Sequence, residues 1–151
     1  MSTERELLEL GLRYELEAKE YYLRAVEIFD QPGTKAMLQE LAEQEAEHAA
    51  LFEAVLAGRP VVLGASEPQP MEELGLAERL ATPVLEEGSD PSDVIVIAMK
   101  KELAAIERYE EWARDFAGTG LGQLAASLAA EERGHKYRLE RLYDEEYLKF
   151  N

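Results

Sequence analysis

Six residues in this chain have the types and the spacing to hold a pair of metal ions. Glu15 begins the stretch Glu-Leu-Glu-Ala-Lys-Glu-Tyr-Tyr that ends at Tyr22, and thirty residues after Glu15 comes Glu45-Ala-Glu-His48. The pattern then recurs. Glu102, Ala105 and Tyr109 repeat Glu15, Ala18 and Tyr22, and Glu132-Arg-Gly-His135 repeats the second motif, all at an offset of 87 residues from Glu15 to Glu102. The two histidines that close the Glu-x-x-His pairs are the only two in the protein. One such pair means little in a Glu-rich chain. Two copies with matched partners and equal spacing supply four carboxylates and two imidazoles as a set.

The chemistry follows from charge. An unpaired ion buried in a protein core costs on the order of several kcal/mol even after relaxation. Two carboxylates can share a proton, but four beside two imidazoles call for cations, and two divalent ions balance four glutamates. Carboxylate and imidazole donors suit iron or manganese and, less selectively, zinc. The expected metal ligands are therefore Glu15, Glu45, His48, Glu102, Glu132 and His135, and the expected cofactor is two metal ions of this kind.

Positioning such a set requires helices. Ala, Leu, Glu, Arg and Lys dominate the chain, and no alternating run of Val, Ile and Thr reads as a strand. Thr3-x-x-Glu6 forms a capping box that opens a first helix, expected to reach about Phe29 and stop at Asp30-Gln-Pro-Gly33. Thr34 is the expected cap of a second helix ending at Gly58. Asp90-Pro91 is an N-cap followed by a first-position proline, and the third helix runs from there to about Ala117. Gly118-Thr-Gly120 turns the chain into a fourth helix that continues to near the C-terminus. Residues 58–90 hold most of the prolines and read as a long crossover with a short helix expected over 71–80. The chain as a whole, 1–151, reads as one domain, with hairpins over 3–57 and 91–149 joined by this crossover.

Seam positions recur every three or four residues. They include Leu8, Gly11, Glu15, Ala18, Tyr22, Ala25 and Phe29 in the first helix and Leu38, Leu41, Glu45, His48, Phe52 and Val55 in the second. The third and fourth helices repeat the pattern from Ile95 to Phe116 and from Ala125 to Leu142. All six candidate ligands lie on the seam. The midpoint between Glu15 and His48 falls at Gln31/Pro32, and that between Glu102 and His135 at Gly118/Thr119, so folding at each turn sets the two ligands of a hairpin level. The fold class expected is all-α, a four-helix bundle of two hairpins with one long crossover that leaves the third helix parallel to the second.

Neighbouring positions have supporting roles in this reading. Ala18 and Ala105, one turn beyond a ligand, leave room for the cluster. Tyr22 and Tyr109, two turns beyond, are candidates to hydrogen-bond the ligand carboxylates. Gln44 and Glu131 are candidates to hold the histidine of the opposite hairpin and so set its tautomer. Gly134 is out of place inside a helix and suggests a close backbone approach. Glu17, Glu20, Glu43, Glu47 and Glu107 lie off the seam and read as solvated surface.

Composition narrows the function. The chain has 32 acidic and 16 basic residues, a formal net charge of −16. That opposes binding to nucleic acid or to an anionic membrane and favours attraction of cations. There is no cysteine, which removes disulfides, Fe–S clusters and thiol chemistry. No secretion signal or membrane-spanning run is legible, so the cytoplasm is the expected location.

These motifs resemble the rubrerythrin branch of the ferritin-like di-iron proteins, over both hairpins. Each of the six candidate ligands matches a ligand position of that family's motif. The resemblance implies a di-iron site at which Glu45 and Glu132 bridge the metals, with Glu15 and His48 on one metal and Glu102 and His135 on the other. It implies an oxidoreductase that reduces hydrogen peroxide or dioxygen, and a homodimer. Two departures are visible. Rubrerythrins carry a rubredoxin-like Cys₄ iron domain, which a chain without cysteine lacks, so electrons are expected from an external donor such as a rubredoxin-type protein. They also carry a further Glu one turn after the ligand on the third helix, where this chain has Ala105. A ferroxidase or other iron-handling protein, and a non-catalytic metal-binding bundle, are the competing expectations.

Overall fold

The computed structural model describes residues 2–64 and 74–148. Among them there are four long helices and no strand. Helix α1 spans Glu4–Val26, α2 Pro32–Leu56, α4 Pro91–Asp115 and α5 Gly120–Tyr143, with a one-turn helix α3 at Leu76–Arg79. A π-helical turn, Asp144–Leu148, follows α5.

The helix ends show which local signals act. Thr3 accepts a hydrogen bond from the Glu6 amide at 3.1 Å, and the Glu6 carboxylate reaches back to the Thr3 amide, so the capping box closes as expected. Thr119 caps α5 in the same way through the Gly122 amide. Thr34 does not cap α2. The helix begins two residues earlier with Pro32 in its first turn, and Thr34 is buried within that turn. Proline needs no partner for a missing N–H and has a helical φ already set, which suffices to start the helix without a side-chain cap. The same holds at α4, where Pro91 opens the helix but Asp90 makes no side-chain cap bond. Helix α1 stops at Val26 rather than near Phe29, although Phe29 remains buried from within the turn. Helix α2 ends as expected before Gly58, whose φ of +71° suits glycine. Of the short helix expected over 71–80, Leu76–Arg79 is helical, while 71–73 lie outside the described residues.

Helix α1 packs along α2 and α4 along α5 as two antiparallel hairpins. Leu38 and Leu41, near the start of α2, share one core cluster with Val94 and Ile95 at the start of α4, so these two helices run parallel. The crossover that permits this is anchored at two points on α5. Ser127 donates to the Gly64 carbonyl, and farther along, buried Glu140 accepts the Ala77 amide at 2.8 Å. Thirteen residues of helix separate the anchors, roughly 20 Å of axis. Lys100 donates to the Ala77 carbonyl, and Lys136, also buried, pairs with Glu78 and Glu140. These residues lie beside the seam and look like an ordinary i, i+4 surface pair in the sequence. Docking of the crossover is what buries them.

The interior is layered. One apolar cluster gathers Tyr22, Phe29, Leu38, Leu41, Ile95, Met99 and Leu139, and a second gathers Leu8, Phe52, Tyr109, Trp112, Leu121, Leu124 and Leu128. On every long helix the six candidate ligands fall between the two. Gly11 admits the Phe52 ring, whose nearest atoms lie 2.4 Å from where a Cβ would sit. Trp112 is a core residue.

Gly134 has no such role. A Cβ there would meet nothing within 4 Å, which overturns the expectation of a close backbone approach. Gly134→Ala is therefore expected to stabilise the protein by about 0.5–1 kcal/mol, through lower helix-forming entropy alone. Chemical denaturation would measure the gain, and an unchanged or lower midpoint would contradict it.

Candidate metal centre

All six predicted positions converge in the layer between the apolar clusters. Glu15, Glu45, His48, Glu102, Glu132 and His135 are each 4% exposed or less. Two sets of potential donors form, each with its atoms within 4.8 Å of one another: Glu15, Glu45, His48 and Glu132, and Glu45, Glu102, Glu132 and His135. Glu45 and Glu132 belong to both sets, which places them between two positions. Glu17, Glu20, Glu43, Glu47 and Glu107 are exposed.

The centre contains polar atoms that no described residue satisfies. Glu15 Oε2, Glu45 Oε1, His48 Nδ1, Glu102 Oε2, Glu132 Oε1 and His135 Nδ1 are buried without a hydrogen-bond partner. There is one such atom on each of the six side chains. His48 Nδ1 lies 3.1 Å from Glu132 Oε1 and 3.5 Å from both Glu15 Oε2 and Glu45 Oε1. His135 Nδ1 lies 3.1 Å from Glu45 Oε1, 3.3 Å from Glu132 Oε1 and 3.7 Å from Glu102 Oε2. The nitrogens are surrounded by carboxylate oxygens, yet none sits at a hydrogen-bonding angle. A buried polar atom left unpaired costs about 1–3 kcal/mol, more when charged. Six pointed at a common centre are the donor set of a cation site.

The remaining atoms of these side chains are held from outside, across the hairpins. Tyr22 on α1 donates to Glu102 Oε1 on α4 at 2.5 Å, and Tyr109 on α4 donates to Glu15 Oε1 on α1. Burial, and next the Glu102 charge, raise the Tyr22 phenol well above its ordinary value; burial and Glu15 do the same for Tyr109. Both phenols stay protonated and can only donate to these glutamates. His48 Nε2 lies 2.9 Å from Glu131 Oε2, and His135 Nε2 lies 2.5 Å from Gln44 Oε1. Both partners are acceptors, so each Nε2 carries its proton outward and each Nδ1 faces the centre. The two imidazoles stand parallel, 8° apart with centroids separated by 5.8 Å.

Electrostatics show the strain of gathering these groups. Burial, and then repulsion from Glu102 and Glu15, push Glu45 well above the ordinary carboxylate range; Glu132 is raised by burial and by Glu102, Glu45 and Glu15. Burial would raise Glu102 too, but contacts with Glu132, His135 and Tyr22 outweigh it and hold this carboxyl low. Burial would lower His48, and the Glu131, Glu132 and Glu15 contacts outweigh it, so the imidazole is raised. His135 is likewise raised, with Glu132 and Glu102 overcoming burial. Protons thus do, within the cluster, the neutralising that divalent cations would do.

Sequence reasoning passed over Arg108 and Lys101. Arg108 lies over the Tyr14 ring at 4.0 Å, and Lys101 over the Tyr21 ring at 5.0 Å. Tyr14 and Lys101 are equivalent under the 87-residue repeat, as are Tyr21 and Arg108. The two cation–π pairs are therefore one contact drawn twice, with cation and ring exchanged, and both join α1 to α4 beside Glu15 and Glu102. The repeat carried this signal, but only the packing of α1 on α4 gives it meaning.

No described helix is long and apolar enough to cross a membrane. A comparison with curated proteins finds no match. A family model described as a ferritin-like domain matches residues 3–145.

Proposed function

The chain belongs to the ferritin-like domain family, and from that premise we propose that its buried centre binds two iron ions and reduces hydrogen peroxide or dioxygen with electrons from an external donor. The observation that carries this reading is the set of six unpartnered donor atoms, one per side chain, aimed at a shared interior. Glu45 and Glu132 would be shared between the ions, with Glu15 and His48 completing one position and Glu102 and His135 the other. Iron held there would supply the electrons and the Lewis acidity of the reaction.

The protein's own part is to hold and to exclude. Tyr22 and Tyr109 clamp the two outer glutamates, each from the opposite hairpin, so that their second oxygens remain turned inward. Glu131 and Gln44 hold the imidazoles with Nδ1 facing in. The apolar clusters above and below keep bulk water from the ends of the bundle. A cleft of about 330 Å³ lined by His48, Leu51, Val62, Gly64 and Glu131 offers a small oxidant an approach from the side of the bundle. These 151 residues contain no cysteine and so no rubredoxin-type centre of their own, and a rubredoxin-type protein fits the role of external donor.

Anaerobic loading with Fe(II), a count of bound iron, and separate mixing with peroxide and with dioxygen test the proposal. Two irons per chain and a fast colour change with one oxidant are expected, with turnover when a reductant is added. Iron far in excess of two per chain would replace it with an iron-handling role. Two bound irons inert to both oxidants would leave a structural centre and end the enzymatic reading.

A further inference from the structure

We infer that the two metal positions are unequal, and that Glu131 makes the one built on Glu15 and His48 the first to fill. The inference rests on the dimetal reading above and concerns how that centre is loaded.

The centre is nearly two-fold symmetric in sequence. Glu15 and Glu102, Tyr22 and Tyr109, Glu45 and Glu132, and His48 and His135 are identical pairs at one offset. Among the described residues hydrogen-bonded to the six ligand side chains, a single pair breaks the repeat: Gln44 stands where the second hairpin has Glu131. That break falls on the bonds that set the histidines. His135 Nε2 meets the neutral amide oxygen of Gln44, whereas His48 Nε2 meets the Glu131 carboxylate.

An anionic acceptor draws on Nε2–H more strongly than an amide does. It shifts electron density to Nδ1 and makes that nitrogen the better metal donor, and outer partners of this kind change metal affinity by roughly 10–100-fold. Glu131 also adds a negative charge on the His48 side. Two features moderate the effect. The Gln44 contact is shorter, 2.5 Å against 2.9 Å, but a small difference in distance does not replace a full charge. The Glu131 side chain is 47% exposed, and water screens part of its field. The expected preference is therefore about tenfold, at the low end of that range. At limiting metal the centre would hold one ion, at His48, the histidine that borders the side cleft.

The two-histidine composition makes the test direct. The full chain labelled with ¹⁵N-histidine is titrated with Zn(II), a redox-inert probe, and both rings are followed by NMR after assignment by through-bond correlation to the backbone. In the natural sequence the His48 ring signals should change at the first equivalents and those of His135 only later. Glu131→Gln should make the two rings respond together, and Gln44→Glu should also equalise them, by strengthening the weaker position. Simultaneous response in the natural sequence, a response of His135 first, or an order unchanged by Glu131→Gln would overturn the inference while leaving the dimetal centre intact. Zn(II) that perturbs neither ring would remove the centre itself, and this inference with it.

Discussion

Glu132→Leu is expected to lower metal loading and raise metal-free stability at the same time. Glu132 is 1% exposed and belongs to both donor sets, and its Oε1 stands 3.1 Å from one imidazole nitrogen and 3.3 Å from the other without a hydrogen bond to either. Its loss weakens both positions together, so bound Fe(II) should fall from two per chain to fewer than one under conditions that fill the natural protein. Without metal, the same carboxyl is a burden. It is desolvated and faces Glu102, Glu45 and Glu15. A buried polar atom without a partner costs about 1–3 kcal/mol, and Leu removes one such atom, Glu132 Oε1. At this chain length that corresponds to a rise in the unfolding midpoint of several degrees. Glu15, Glu45 and Glu102 still face the imidazoles, so the histidines are not left alone. Elemental analysis of loaded protein and thermal unfolding in chelator read the two effects separately. A variant that keeps two irons, or one that is less stable than the natural sequence without metal, would contradict the assignment of Glu132 to the centre.

Stability without metal should fall as pH rises through neutrality, and metal should reverse the trend. Glu45 and Glu132 have pKa values raised in the folded protein, so they hold protons there that the unfolded chain has released. Folding is then penalised progressively as pH climbs from the ordinary carboxylate value of 4.5 toward the raised folded values. His48 and His135, raised above 6.5, stabilise the fold fully below that value and lose this contribution as pH passes their folded values. Glu131, held low chiefly by His48, and Glu102 act in the opposite sense, but their contribution is lost only on acidification below the ordinary carboxylate range. Each proton held in excess by the folded state gives a slope of about 1.4 kcal/mol per pH unit. Divalent ions must displace those protons to bind, so affinity rises with pH and the loaded protein gains stability where the metal-free protein loses it. Urea denaturation at several pH values between 5.5 and 8, in chelator and in excess Mn(II), would show slopes of opposite sign. Equal slopes in the two conditions would mean that the buried cluster does not exchange protons for metal.

The two hairpins were legible because their information is local. Helix-forming residues, the Thr3–Glu6 capping box, the prolines at 32 and 91 and the three-and-four spacing of the seam all act within a few residues of one another. The convergence of the six polar side chains was legible for the same reason. A seam position must face the other helices, and each ligand pair is equidistant from its turn. The errors were also local. Thr34 has the right type for a cap, but a first-turn proline starts α2 two residues earlier without one, whereas Asp90 does hold the N-cap position ahead of Pro91.

By itself, then, the sequence determined which helices form, which face of each turns inward and which charged groups must share the interior, since periodicity along a helix settles orientation about its own axis. It did not determine how neighbouring helices meet. The clamps from Tyr22 to Glu102 and from Tyr109 to Glu15, the exchanged cation–π pairs of Arg108 and Lys101, and the burial of Lys136 and Glu140 under the crossover all join segments distant in the chain. Such contacts depend on the rotation and offset of one helix against another, quantities that only the packed tertiary structure decides.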